Sequence, residues 1–176
     1  MKMKPVLIVT LAFLLVAIFA CHPVQRLSDG EGYIPFENGK LWYRVIGEGE
    51  ETPLMLLHGG PGGTTRSFYL LSPLSEDFPL ILFDQLGSGR SGYHEDTSML
   101  KVDLFVEQVE AVRKELGLKE FYLLGHSWGS ALALEYYLAY PEAVKGLIFS
   151  SPYVSTPVWE RDADTLIMQL PDSVQQ

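Results

Sequence analysis

The sequence predicts an α/β domain: a mostly parallel sheet opened by an N-terminal antiparallel hairpin, with helices on both faces. Three observations carry this. Two apolar-aromatic runs, Gly32 to Phe36 and Leu41 to Ile46, flank Glu37-Asn38-Gly39-Lys40, and Asn-Gly between such runs is a hairpin signal because both residues accept positive φ. Short apolar runs then alternate with segments of helical spacing, the rhythm of strand–helix–strand crossovers. Finally, three of the apolar runs end directly in glycine-bearing loops, as expected at the carboxyl ends of strands where such sheets bind ligands.

The chain opens with Met1-Lys2-Met3-Lys4, a short basic start, and Val6 to Ala20, an uncharged and almost wholly apolar stretch of 15 residues. That run is short for a membrane span and fits the n-region and h-region of a secretory signal. Ile18-Phe19-Ala20-Cys21 resembles a bacterial lipoprotein signal, which implies cleavage before Cys21 and a lipid on its sulfur. The expectation is an exported, membrane-anchored protein: residues 1–20 a signal peptide, 21–31 a tether. An ordinary signal on a secreted or periplasmic protein, or an anchor with an incidental cysteine, is the alternative. Cys21 is the only cysteine, so an internal disulfide is impossible. Loss of Lys2 and Lys4 would take the formal charge from −9 to −11. A domain this acidic, without a Lys/Arg cluster, repels polyanions, and nucleic acid is excluded as a partner.

From there each element has its reason. Gly47 to Thr52 is an acidic loop closed by Pro53. Leu54-Met55-Leu56-Leu57 is a continuous apolar run, the pattern of a strand buried on both faces. Ser67 to Ser75 reads as a short helix, and Leu80 to Phe83 as another buried strand. Val102, Phe105, Val109, Val112 and Leu116 recur at helical spacing, and Gly117 is placed to cap that helix. Phe121 to Leu124 is a strand, Ser130 to Tyr140 a helix ended by Pro141, and Leu147-Ile148-Phe149 a buried strand. Val158 to Leu170 is an amphipathic segment.

The chemistry gathers in the loops. Gly125-His126-Ser127-Trp128-Gly129 follows a strand and opens a helix, the setting of a nucleophile elbow. The turn is so tight that side chains at Gly125 and Gly129 would collide with strand and helix, and Ser127 is lifted to a helix N-terminus. There the helix dipole and the free N–H of Trp128 favour a developing oxyanion. His58-Gly59-Gly60-Pro61-Gly62-Gly63, directly after a buried strand, is suited to supply the second oxyanion N–H. In Asp84-Gln85-Leu86-Gly87-Ser88-Gly89-Arg90-Ser91, Asp84 and Arg90 are expected to brace the loop near the serine, and His58 to order its own loop.

Together these blocks resemble the α/β-hydrolase superfamily, and within it the proline iminopeptidase (prolyl aminopeptidase) family, over about Gly32 to Tyr153. His58 to Gly62 is similar to that family's HGGPG loop, Asp84 to Ser91 to its DQxGxGxS loop, with Leu86 where arginine is common, and Gly125 to Ser130 to its elbow. The resemblance implies a serine hydrolase that releases N-terminal residues, often proline, from small peptides. Ser127 would be the nucleophile, and the N–H groups of Gly60 and Trp128 would hold the oxyanion, with no metal or organic cofactor. It further implies that 32–157 form the front of the catalytic core and 158–176 the start of a lid.

One part is missing. In this fold the order is Ser, then Asp or Glu, then His. His22, His58, His94 and His126 all precede Ser127, and Glu142, Glu160, Asp162, Asp164 and Asp172 lie before or inside the expected lid. The chain therefore reads as the front half of a hydrolase, ending in its lid. An esterase or lactonase on the same scaffold, or a truncated and inactive anchored domain, are the competing readings. The sequence leaves the oligomeric state open.

Overall fold

The computed structural model describes residues 26–92, 100–153 and 155–174. The segment expected as a signal peptide, Cys21, His22 and His94 lie outside them. No helix among the described residues is long and apolar enough to cross a membrane.

Six strands form one sheet: β1 (Gly30–Phe36), β2 (Gly39–Ile46), β3 (Leu54–Leu57), β4 (Leu80–Phe83), β5 (Phe121–His126) and β6 (Val144–Ser150). Their spatial order is β1-β2-β4-β3-β5-β6. β1–β2 and β2–β4 are antiparallel, while β3 runs parallel to β4 and β5, and β5 parallel to β6. The hairpin forms, but its turn is Glu37-Asn38 rather than Asn38-Gly39. Gly39 already pairs with Phe36, and Glu37 takes the left-handed φ of 49°. The loop at Gly92 packs against this end of β2: its N–H donates to the Lys40 carbonyl at 2.7 Å, and a Cβ on Gly92 would lie 3.1 Å from the Lys40 nitrogen.

The segment expected as a tether contributes to the domain from Arg26 onward. Leu27 is buried and exchanges backbone hydrogen bonds with Gly49, Asp29 binds Arg44 at 2.7 Å, and β1 begins at Gly30.

β3 and β4 are buried on both faces, as continuous apolar strands require. Their odd-numbered residues Met55, Leu57, Ile81 and Phe83 join a large cluster beneath α1 (Val102–Glu115) and α2 (Trp128–Ala139), which contribute Phe105, Val109, Val112, Leu132 and Tyr136. Their even-numbered residues Leu54, Leu56, Leu80 and Leu82 pack on the other face against Phe68. Phe68 belongs to a 3₁₀ helix over Thr65–Glu76, longer than the short helix read from Ser67 to Ser75. Pro73 within it has no N–H and obstructs α-helical hydrogen bonding, which favours the tighter form.

α1 ends in a full Schellman motif. Gly117 adopts φ 60°, its N–H donates to the Lys114 carbonyl, and the Leu118 N–H donates to the Arg113 carbonyl. β6 departs from expectation. It is one of the two edge strands, so Ile148 and Phe149 remain 45% and 44% exposed where a buried strand was predicted. α3 (Thr156–Ile167) has no buried residue.

The chain passes from β3 to β4 over one face and from β4 to β5 over the other. β4 and β5 thus flank β3, and the crevice beyond the carboxyl ends of β3 and β5 is a topological switch point, where open α/β sheets take ligands.

Candidate active site

Ser127 stands at that switch point, between the last residue of β5 and the first of α2, with φ 53° and ψ −121°. A non-glycine residue there carries strain on the order of 1–3 kcal/mol, which the surroundings must enforce. They do so through contacts that leave no room. A Cβ on Gly125 would run into the Gly129 carbonyl, and one on Gly129 into the Leu57 carbonyl of β3. The Ser127 N–H is held by the Ser150 carbonyl at 3.0 Å, and its carbonyl accepts from Ser130 N–H at 2.8 Å.

The His58–Gly63 loop lies directly against the elbow. A Cβ on Gly59 would come 3.0 Å from Ser127 Cβ and 3.0 Å from the His126 carbonyl, so only glycine fits without displacement. Gly60 is exposed beside it, with φ 124°, and no backbone acceptor engages its N–H among the described residues. Trp128 is the first residue of α2, so its N–H lacks an intrahelical acceptor. The Ser127 hydroxyl itself meets no hydrogen-bond partner among the described residues.

His58 is 1% exposed and fully engaged. Its Nε2 accepts from the Gln85 N–H at 3.0 Å and its Nδ1 donates to the Gly59 carbonyl at 3.0 Å, which fixes one neutral tautomer. Burial lowers its pKa from the ordinary imidazole value, against the opposing pull of the Gly59 hydrogen bond and of Asp84. His126 directs Nδ1 to Ser150 Oγ at 3.2 Å. Neither ring has a hydrogen bond to Ser127 Oγ.

Asp84 is buried at the end of β4. Its Oδ1 accepts from the Thr65 N–H and Oγ1 at 2.9 and 3.0 Å, its Oδ2 from the Arg90 N–H at 2.9 Å, and its carbonyl from the Ser91 hydroxyl. Arg90 therefore meets Asp84 through its backbone. Its guanidinium lies 4.2 Å from the centre of the Trp42 ring.

Gln85 was given no role from sequence, yet it ties all three loops together. Its side-chain amide donates to the His58 carbonyl at 2.9 Å and accepts from the Trp128 indole N–H at 3.0 Å, while its backbone N–H holds His58 Nε2. A glutamine directly after the strand-ending aspartate was the available signal; which loops it joins depends on strand order. Thr65 and Gln108 were likewise missed. Gln108 accepts from the Leu86 N–H at 2.8 Å, and its own Nε2 is buried without a partner among the described residues.

A strained serine between strand and helix, with a glycine loop from the neighbouring strand against it, is the arrangement of an α/β-hydrolase nucleophile elbow. The family model for the alpha/beta hydrolase fold matches residues 52–176. The chain belongs to the α/β-hydrolase fold family. Among curated relatives of this chain, the proline iminopeptidase of Heyndrickxia coagulans is 44% identical over 147 residues, covering 83% of this chain and 51% of that protein. That of Clostridium botulinum is 39% identical over 149 residues, covering 82% and 51%. Among solved structures, VinJ superposes with a TM-score of 0.78 at 31% identity, covering 83% of this chain and 51% of VinJ. Proline iminopeptidase from Mycobacterium smegmatis superposes at 0.74 with 28% identity, covering 81% and 50%. The chain thus spans about half the length of these relatives.

Proposed function

We propose that this hydrolase chain is the N-terminal part of a serine aminopeptidase of the proline iminopeptidase kind, acting on small peptides. The observation that carries the proposal is Ser127 at positive φ with Gly59 packed against it. In this reading Ser127 Oγ attacks the carbonyl of the substrate's first residue and a general base takes its proton. The N–H groups of Gly60 and Trp128 hold the tetrahedral oxyanion, each worth roughly 3–4 kcal/mol. The intermediate collapses to an acyl-enzyme on Ser127 as the scissile C–N bond breaks and the leaving amine takes the proton; water then releases the amino acid. His58 and His126 are committed to other hydrogen bonds, so the base and its orienting acid are assigned to a continuation of the chain past Gln176, in the order Ser, acid, His. Residues 158–176 begin the lid, and Cys21 carries a lipid that anchors the protein to the bacterial envelope. The acyl-enzyme route needs neither metal nor organic cofactor.

The test is to express the chain through whatever reading frame follows codon 176 and to assay a proline arylamide against short acyl esters. Arylamide cleavage that Ser127→Ala lowers by roughly 10⁴-fold or more supports the reading. Ester cleavage alone points to an esterase or lactonase. A stop codon at that position, with no fluorophosphonate labelling of Ser127, points to an inactive domain. Metabolic labelling with palmitate, abolished by Cys21→Ala, tests the anchor.

A further inference from the structure

A cavity of about 610 Å³ opens between the start of the 3₁₀ helix and the loop after β4, lined among others by Thr64, Arg66, Tyr69, Asp84 and Arg90. Its size is that of a small-molecule site. Its charge is unusual for this protein, which carries 22 acidic against 13 basic residues. Every arginine elsewhere in the chain has a carboxylate within 4 Å: Arg26 with Glu48, Arg44 with Asp29, Arg113 with Glu110 and Arg161 with Asp162. Arg66 and Arg90, the two on this cavity, form no ion pair among the described residues.

The carboxylate on the same wall does not answer them. Both oxygens of Asp84 are taken by Thr65 and by the Arg90 backbone N–H, so its charge is directed into the loops. Arg90 is held in place without a direct ion pair among the described residues. Its guanidinium rests on the Trp42 ring, 4.2 Å from the centroid. A stacked guanidinium keeps in-plane donors free, and its fork matches the two oxygens of a carboxylate or phosphate.

We infer that this cavity is an oxyanion-binding site, in which Arg66 and Arg90 together grip a carboxylate or phosphate group borne by a small molecule. Ser127 is not among the residues lining this cavity, and the proposal stands whether or not Ser127 is a nucleophile. Two sources share this chemistry: the C-terminal carboxylate of a short peptide, and a free or esterified phosphate.

Calorimetric titration of the full chain, in non-ionic detergent at low salt, tests it with three probes: triglycine, triglycinamide and inorganic phosphate. Saturable binding of triglycine or phosphate, weakened about tenfold or more by Arg66→Ala and by Arg90→Ala, supports the site. Arg161→Ala, which removes an arginine paired on an exposed helix, is expected to change nothing. Triglycine binding without triglycinamide binding identifies a peptide carboxylate; phosphate binding alone identifies a phosphate. Absence of saturable binding for all three probes, or binding that neither substitution alters, overturns the proposal. Arg66 is exposed and its side chain has no hydrogen bond or ion pair among the described residues, so Arg66→Ala with an unchanged circular dichroism spectrum decides the matter even if Arg90→Ala disturbs the loop.

Discussion

Glu110 shows how much one buried charge can carry. Its side chain is 3% exposed, and it accepts two hydrogen bonds from Arg113 at 2.7 and 2.8 Å and one from the Tyr136 hydroxyl at 2.9 Å, with Lys114 at 3.3 Å. Arg113 above all, and Tyr136, hold its carboxyl down at about 2 against the ordinary 4.5, outweighing burial. A depressed carboxylate contributes stability that is fully present above pH 4.5 and lost as pH falls toward 2. The shift corresponds to about 3 kcal/mol. Urea unfolding as a function of pH should show this loss in the native chain. Glu110→Gln should be less stable at neutral pH and lack that part of the slope. The elbow glycines act sterically. Gly129→Ala would drive a methyl group into the Leu57 carbonyl, where backbone must yield. Its expected cost is several kcal/mol, read as a large fall in Tm or failure to fold.

Elements are stabilised at their ends as well as along their faces. The α1 face was legible as a period, and Phe105, Val109 and Val112 are buried as the spacing demands, while Val102 at the first turn stays exposed. Gly117 was legible as a cap because φ near +60° costs other residues about 1 kcal/mol. Gly117→Ala should therefore lower stability by about 1 kcal/mol, a Tm fall of a few degrees by calorimetry, without altering the elbow. Buried Gln108 and Glu110 break the apolar period of the same helix. Glu110 has Arg113 and Lys114 within its own helix, but Leu86, which donates to Gln108, and Tyr136, which donates to Glu110, come from other elements, and a period within one helix carries no information about polar atoms arriving from elsewhere. The hairpin turn was misplaced by one residue for a similar reason. Local preference favoured Asn38-Gly39, but Gly39 pairs with Phe36 in the ladder, and the Gly92 N–H from a distant loop donates to the neighbouring Lys40 carbonyl.

In the whole molecule, β6 leaves a sheet edge and part of one face uncovered. Tyr122 and Ile148 are exposed on the face opposite α1 and α2, and Phe149 is exposed near the end of β6. Contiguous apolar surface beside an unpaired strand edge promotes association. The chain by itself is expected to bind anilinonaphthalene sulfonate and to self-associate in light scattering, with Ile148→Lys reducing both. The sequence by itself determined the α/β class, the strands and the elbow, because hydrophobic period and turn sterics act over a few residues. It also located His58–Gly63 and Asp84–Ser91 as loops of consequence. Tertiary structure alone decided that β3 lies between β4 and β5, and so that Gly59 touches Ser127. It decided too that Gln85 joins three loops and that Arg66 and Arg90 share one cavity. Those facts depend on strand order and on packing between segments distant along the chain, and no local preference encodes which distant groups will meet.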